Sequence, residues 1–509
     1  MAALQQGDIS FIQSSGRDVQ EISRQLDVLT GTRTFVRLSR PAALRDGICH
    51  LKDYDVSVLQ RLYENALANN RVSSFIPASG SGTRLFQSLL ALYREGATDL
   101  AHIRWRANRG DDTAKDALVV LENIEHFAIW SELSRRECPP NSLEHIFRAL
   151  FADTFADTGL RAHELPKGLI PFHRYDSESR TAFSEHLREA CALTAGPERK
   201  CRVHFTISAS HRTLFERAWQ RERPFLEDAL NVQCHVEFST QSPLTDTIGI
   251  DADGHILRDR SGQIAFRPGG HGALLPNLEH TGYDIVLIKN IDNIARDDLR
   301  PDIVRVRQLI CGLLLLVENQ VHTALRDLRQ GANPQTAIQL LDTLFGITPV
   351  ESLNSTELRR YADAQLNRPL RVCGVVGTLE HTGGRPFWIE TENRGATLQL
   401  VESVEVNLDD STTRRIFKHS KHFNPVELAC SIRDVDGASF RLSEFSMPAR
   451  AIITRKVVGG VPSLVYEHPG LWNGSMALWN TLFVEIPDLV FNPVKSLADL
   501  WAPGHRFDG

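Results

Sequence analysis

The eight cysteines, at positions 49, 138, 191, 201, 234, 311, 373 and 430, include no C-x-x-C pair. That scatter excludes a zinc knuckle and a small disulfide scaffold, and points to reduced thiols of the cytosolic kind. Charge of one sign is also lacking: the formal net charge is -6 and the pI about 6.4. A general nucleic-acid binder would show a basic excess, whereas a local phosphate site is compatible with this balance. The longest strongly apolar run, Leu309 to Val317, is too short to span a bilayer. Met1 to Asp8 shows neither the basic start nor the apolar run of a signal peptide. The expectation is therefore a cytoplasmic protein with neither membrane nor nucleic acid among its partners. Internal repeats, low-complexity tracts and long Pro/Ser linkers are missing, which favours one elaborated α/β domain over a string of modules. The remainder, 42% hydrophobic and 24% charged, is the composition of a soluble globular chain.

The most informative stretch is Phe75-Ile-Pro-Ala-Ser79-Gly80-Ser81-Gly82-Thr83-Arg84-Leu85. Val72 to Ile76 is short, apolar and β-prone, and reads as a buried strand. Leu85, Phe86, Leu89, Leu90 and Tyr93 then recur at helical spacing. Gly80 and Gly82 would let bare backbone approach a ligand, the following helix would offer unpaired N–H groups to an anion, and Arg84 adds a fork suited to phosphate. The same composition also makes an ordinary Gly/Ser turn. Two common phosphate motifs are excluded: Gly82 is followed by Thr83-Arg84 instead of Lys-Ser/Thr, and Leu85 stands where a dinucleotide fingerprint needs its third glycine.

Residues 1–70 read as mainly helical, as do 86–160, with a break at Cys138-Pro139-Pro140-Asn141. From Arg202 short β-prone runs appear: Val203 to Ile207, Val232 to Phe238, Ile264 to Phe266 and Asp284 to Ile288. Helical patterns at 212–229 and 297–345 fall between or after them, and β-rich stretches cover 371–406 and 428–455. Strands alternating with helices imply βαβ units and a largely parallel sheet.

Four further segments carry chemistry. Pro166-Lys167-Gly168 would present an ammonium to a phosphate, or is a solvated turn. Gly269-Gly270-His271-Gly272 suggests backbone contact with a planar or sugar group, or a tight connection. Asp292 follows an apolar strand, where α/β folds meet their ligands and where a carboxylate suits Mg²⁺, or it caps the next helix. Phe491-Asn-Pro-Val-Lys495 ends on another lysine. Asp251-Ala-Asp253-Gly254 imitates an acidic metal motif but reads as a hairpin turn. His419 and His422 have no carboxylate or cysteine partner in their vicinity, and no zinc is assigned.

In order along the chain these pieces resemble the UDP-N-acetylhexosamine and UDP-sugar pyrophosphorylases, the eukaryotic-type branch of the sugar nucleotidyltransferases. The wider sequence also resembles a bacterial family of about this size known only as a domain of unknown function. Gly80 to Leu85 is similar to the family's Gly-x-Gly-Thr-Arg-Leu loop, and Pro166-Lys167-Gly168 to its Pro-Lys-Gly turn. Phe205-Thr206-Ile-Ser208 with Phe215 is similar to its Met-Thr-Ser strand and later Phe. Gly270-His271-Gly272-Ala273 resembles its Gly-Asn-Gly-Gly loop, Ile291-Asp292-Asn293 its Val-Asp-Asn metal motif, and Phe491 to Lys495 its Phe-Ser-Pro-Leu-Lys. The departures are a long helical stretch before the Pro-Lys-Gly turn, His271 in place of a sugar-contacting Asn, and the segments 1–70 and 297–365, which have no counterpart.

The resemblance implies an α/β fold with a Rossmann-like mixed sheet of the nucleotide-diphospho-sugar transferase type. A helical N-terminal segment would cover 1–70 and the nucleotidyltransferase-like domain 71–509, with helical insertions at 86–160 and 297–365. It implies a nucleoside triphosphate, UTP, joined to a sugar 1-phosphate with release of pyrophosphate. Arg84, Lys167 and Lys495 would be catalytic, and Ser79, Gly80, Ser81, Gly82, Thr83, Gln241 and Gly270 would bind the nucleotide. His271, Glu402 and Asn424 would bind the sugar, and Asp292 would hold Mg²⁺. The alternatives are a non-catalytic nucleotide or sugar-nucleotide binding protein, and a glycosyltransferase on the same fold, which would require Asp251 and Asp253 as its metal site.

Overall fold

Val72-Ser-Ser-Phe-Ile-Pro77 forms a strand buried over nearly its whole length, as a β-prone run inside an α/β sheet should. The computed structural model describes residues 4–134, 142–152, 160–349, 351–377, 383–391 and 395–506. The expected break at Cys138 to Asn141 lies outside them. By packing, the chain divides into two compact units interleaved in sequence: 1–65, 241–287 and 309–486 in the first, and 66–240, 288–308 and 487–509 in the second.

In chain order the main strands are β1 (Gly47–His50), β2 (Val72–Pro77), β3 (Lys200–Ile207), β4 (Gln233–Thr240), β5 (Ile285–Ile288), β6 (Leu370–Val376), β7 (Phe423–Ser431) and β8 (Asn480–Glu485). Three of the longer helices are α1 (Ala182–Thr194), α2 (Arg212–Leu230) and α3 (Arg300–Arg329).

In the second unit β2, β3 and β4 run parallel and adjacent in that order. They are linked by crossovers through α1 and α2, so the alternation read from the sequence is a true βαβ pattern. A continuous apolar core gathers Ile76 of β2, Phe183 and Leu187 of α1, Phe205 of β3 and Phe215 of α2. The first unit carries a mixed run in the order β1, β8, β6, β7, β5. There β8 lies parallel to β1 and β6, while β7 is antiparallel to β6. The sheet is thus Rossmann-like and mixed, with helices packed on it.

Three sequence expectations need amending. Residues 1–70 are helical over Gln6–Ser14, Val19–Thr30 and Val56–Ala68, but Leu38–Pro41, Ala43–Leu44 and β1 are strands. Ile264 to Phe266 is not a strand; Ile264 makes only an isolated bridge to Arg258. Leu309 to Val317 belongs to α3, which is long and apolar enough to cross a membrane by length and composition. More than half of its most apolar window is buried in the fold, and Arg307 and Glu318 lie along it buried. It is a core helix of this structure.

Candidate active site

After β2 the chain opens into the glycine loop. Ala78 N–H still donates to Thr206 O at 2.7 Å, continuing the pairing with β3, and Ser79 to Ser81 are then exposed. The distant 163–167 segment is laced onto this loop. Gly82 N–H donates to Leu165 O at 2.8 Å, Lys167 N–H to Gly80 O at 3.0 Å, and Thr83 Oγ1 to His163 O at 3.0 Å. The two glycines therefore differ in purpose. A Cβ on Gly82 would lie 2.5 Å from Ile170 Cδ1 and 2.9 Å from Leu165 O, so this glycine permits close chain packing and its N–H is spent internally. A Cβ on Gly80 would meet nothing within 4 Å. Nor does a long helix start at the loop, as expected from the periodicity. Gly82–Arg84 is a 3₁₀ turn, and the helix Gln87–Arg94 follows. Arg84 itself is exposed, with no hydrogen bond to another described residue.

Lys167, Asp292 and Lys495 converge. Lys167 Nζ lies 3.2 Å and Lys495 Nζ 2.8 Å from the same Asp292 Oδ2, and Lys167 Nζ also donates to Val494 O at 2.8 Å. The two strand-end segments are stitched by Val494 N–H to Asp292 O and by Asn492 N–H to Asn293 Oδ1, both at 2.8 Å. Asp292 and Lys167 are largely buried, Lys495 largely exposed. Burial acts to raise the Asp292 pKa, but the two ammonium groups outweigh it and hold the carboxyl below its ordinary value. Burial pushes the Lys167 ammonium below the lysine range, Lys495 adds to that, and Asp292 opposes it. Two ammonium groups thus share one carboxylate beside an exposed loop bearing Arg84, with the Asp499 carboxylate, which accepts Lys495 N–H, as a further negative group acting on Lys167.

Both lysines fall on Oδ2, leaving Oδ1 of Asp292 for another cation. One carboxylate oxygen fits Mg²⁺ in the mode in which substrate phosphates and water complete the shell. A closed all-protein metal site does not form around Asp292 among the described residues.

Sequence reasoning missed what holds these groups. Helix α1 is buried on every side, capped at its start by Thr181 Oγ1 from Ser184 N–H, and yet carries Glu185, His186 and Glu189. Buried charges must be paired. Glu189 takes Lys289 Nζ at 3.0 and 3.2 Å and Arg307 at 2.6 Å. Burial acts to raise its pKa, and those two cations instead hold it at about 2. Glu185 takes His173 Nδ1 at 2.8 Å, Tyr175 Oη at 2.7 Å and Arg300, while His173 Nε2 meets His505 Nδ1 at 2.8 Å. The sequence signal is faint, because Glu185, His186 and Glu189 stand beside Ser184 and Arg188 on a helix of mixed composition.

The remaining predicted residues belong to the first unit. Gln241, just past β4, donates to Asp246 Oδ1 at 3.2 Å. Gly270 has φ +77° and backs onto Glu467, and a side chain there would be strained. His271 is half-buried, stacks on Trp472 with ring centroids 4.5 Å apart, and accepts Leu471 N–H at Nδ1. Burial lowers its pKa and keeps it neutral, so Nε2 carries the proton. Glu402 is half-buried, and burial raises its pKa. Asn473, fully buried nearby in this unit, donates to Glu405 at 3.2 Å, and Glu405 pairs with Arg450 at 2.6 Å. Asn424 instead donates to Gly374 O at 2.6 Å and accepts Val426 N–H at 3.0 Å, so both ends of its amide serve the backbone. Asp251 Oδ1 accepts the N–H groups of Asp253 and His255 in a turn completed by Gly254 at φ +84°. That is the hairpin reading.

No curated protein matches the sequence. Among solved structures, the chain is similar to a mutant of UDP-glucose pyrophosphorylase from Leishmania major in complex with UDP-glucose. That match has 14% identity and TM-score 0.47, and covers 99% of this chain and 80% of the other. A UDP-N-acetylglucosamine pyrophosphorylase from Trypanosoma brucei in complex with an inhibitor matches at 14% identity and TM-score 0.41, covering 94% and 70%. A family model matches residues 5–506, nearly the whole sequence, and the chain belongs to that family, described as "Domain of unknown function (DUF4301)".

Proposed function

We propose that the protein is a sugar-1-phosphate nucleotidyltransferase that joins a nucleoside triphosphate, UTP by the resemblance, to a sugar 1-phosphate and releases pyrophosphate. The observation that carries this reading is the convergence of Lys167 and Lys495 on Asp292. It stands beside a loop whose Gly80 backbone is open.

In this reaction an oxygen of the sugar phosphate attacks the α-phosphorus of the triphosphate, and the bond to the bridging oxygen of the departing pyrophosphate breaks. The attacking oxygen is already ionised at neutral pH, so no general base is required. The task is positioning and charge neutralisation. Lys167 and Lys495 offset the repulsion between the two phosphate groups, worth several kcal/mol in a site of reduced dielectric. Arg84 meets the charge that gathers on the leaving pyrophosphate. Mg²⁺, held at Asp292, would supply Lewis-acid stabilisation of the phosphates. Pyrophosphate release, assayed over a panel of triphosphates and sugar 1-phosphates, tests the proposal. Release with no pair in the panel, together with tight calorimetric binding of a nucleotide, would favour the non-catalytic binding protein.

A further inference from the structure

Towards β2, the segment that carries Asp292 is held by two long backbone hydrogen bonds. Lys289 N–H to Phe75 O and Ile291 N–H to Pro77 O are both 3.4 Å, at the long end of the hydrogen-bond range. Besides the Val494 and Asn492 links on its far side, a side-chain grip on it comes from α1. His186 Nε2 lies 3.1 Å from Ile291 O, the carbonyl immediately before Asp292. Since a carbonyl only accepts, the ring proton sits on Nε2, and Nδ1 is left buried with no partner. One helical turn on, Glu189 receives the Lys289 ammonium on both carboxylate oxygens, with Arg307 completing the neutralisation. All four side chains are nearly inaccessible.

We propose that His186 and Glu189 are positioning residues for Asp292. By gripping the chain one residue and three residues before it, they set where its carboxylate meets Lys167 and Lys495. The inference rests on the nucleotidyl-transfer reading for its kinetic consequence, though not for its structural one.

The energetics argue for a geometric purpose. A buried Glu-Lys-Arg cluster is seldom more stabilising than well-packed apolar side chains of similar volume, because desolvation offsets the attraction. Likewise, a buried imidazole with one bare nitrogen loses hydrogen bonding that a leucine would never need. What such groups supply is register. A lysine held on two oxygens and a carbonyl held by one N–H cannot slide by one residue without leaving buried charge unpaired. In-line phosphoryl transfer depends on that kind of placement, since a displacement of about 1 Å costs on the order of a hundredfold in rate.

The test uses the full chain with His186→Ala, His186→Gln and Glu189→Gln. Hydrogen exchange is followed by mass spectrometry beside kcat, KM and thermal unfolding. Expected for His186→Ala is faster exchange confined to 289–294, with kcat down by about ten- to a hundredfold and KM for the triphosphate changed by less than about threefold. His186→Gln, which keeps an N–H donor, should recover part of both. Glu189→Gln is expected to loosen the same segment; should it fail to fold, the two His186 variants decide. Unchanged exchange at 289–294 in a folded His186→Ala protein would overturn the proposal. So would a loss of protection spread evenly through the second unit, which marks core stability alone. If the wild type shows no turnover, the reaction proposed above fails, while the exchange pattern still settles the positioning role.

Discussion

Lys167 shares Asp292 Oδ2 with Lys495 from opposite environments, at 3.2 Å with 11% of its side chain exposed against 2.8 Å with 65% exposed. The buried lysine is held by the fold, through Val494 O as well as the carboxylate. The exposed one can leave the carboxylate for an arriving phosphate at little cost, because surface ion pairs are worth about 0–1 kcal/mol. The pair therefore combines a fixed charge with a movable one.

Asp292→Asn is expected to leave both ammonium groups facing a neutral amide. Turnover should fall by about two to three orders of magnitude, and excess chelator should abolish wild-type activity. The variant should remain folded, since its backbone links to Val494 persist. An active Asp292→Asn protein, or full activity in chelator, counts directly against Asp292 as the metal residue.

The two loop glycines should separate stability from binding. Gly82→Ala forces a methyl against Leu165 O and Ile170, and is expected to cost about 1–3 kcal/mol in urea unfolding. Gly80→Ala adds its methyl to open space, so stability should stay within about 0.5 kcal/mol of wild type. If the loop receives phosphate, KM for the triphosphate should nevertheless rise.

Acid should destabilise the second unit in two stages. Burial holds His186 at about 4 and His505 at about 3, against 6.5 for free histidine. Below that ordinary value the unfolded chain takes up protons that the folded unit refuses, so stability falls as pH drops. Glu185 and Glu189 sit at about 2 against 4.5. Their contribution is complete above the unfolded value and is lost as pH falls from there towards the folded one. Urea midpoints measured from about pH 7 to about pH 4 should decline, and His186→Gln should flatten the first stage. A midpoint constant over that range would contradict the buried network.

Gln241 is the residue proposed to read the base. Its amide offers a donor and an acceptor to a pyrimidine edge, so UTP should outcompete ATP and GTP, and Gln241→Ala should weaken that preference. Preference of the wild type for a purine triphosphate would remove this role.

Much of this is legible in the sequence where local rules and chemistry agree. The apolar run before Gly80 announces its strand, and alternating texture announces the parallel βαβ units of β2, β3 and β4, though not their order. The meeting of Lys167, Asp292 and Lys495 follows from the resemblance, which sets each after a strand or turn. The first-unit strands Leu38–Pro41 and β1 are not legible, because each is four residues long and finds its partner far along the chain. Gly82 reads as a ligand contact because a sequence does not show which N–H a returning segment will occupy. The Glu185-His186-Glu189 grip is hidden for a similar reason. Its partners, His173, Ile291 and Lys289, come from different segments, and the pattern on α1 resembles ordinary helix polarity until burial is known.

The three cations decide between an enzyme and a binding protein. Arg84 is exposed and free of described hydrogen bonds, so Arg84→Ala should leave stability within about 0.5 kcal/mol of wild type. In an enzyme its contact strengthens as the pyrophosphate gains charge. It should then depress kcat by about tenfold or more, while changing the triphosphate Kd by less. Lys495→Ala should chiefly raise KM for the sugar 1-phosphate, because the movable ammonium is the one able to turn to that substrate. Lys167→Ala should lower kcat and also cost stability, since it removes a buried partner and leaves Val494 O and Asp292 undersatisfied. In a binding protein the same three changes would alter affinity alone. Calorimetric nucleotide binding and pyrophosphate release, measured on the wild type and the three variants, separate the cases. A kcat loss in Arg84→Ala that exceeds its loss of affinity identifies an enzyme, and equal losses of affinity with no release from any variant identify a binder.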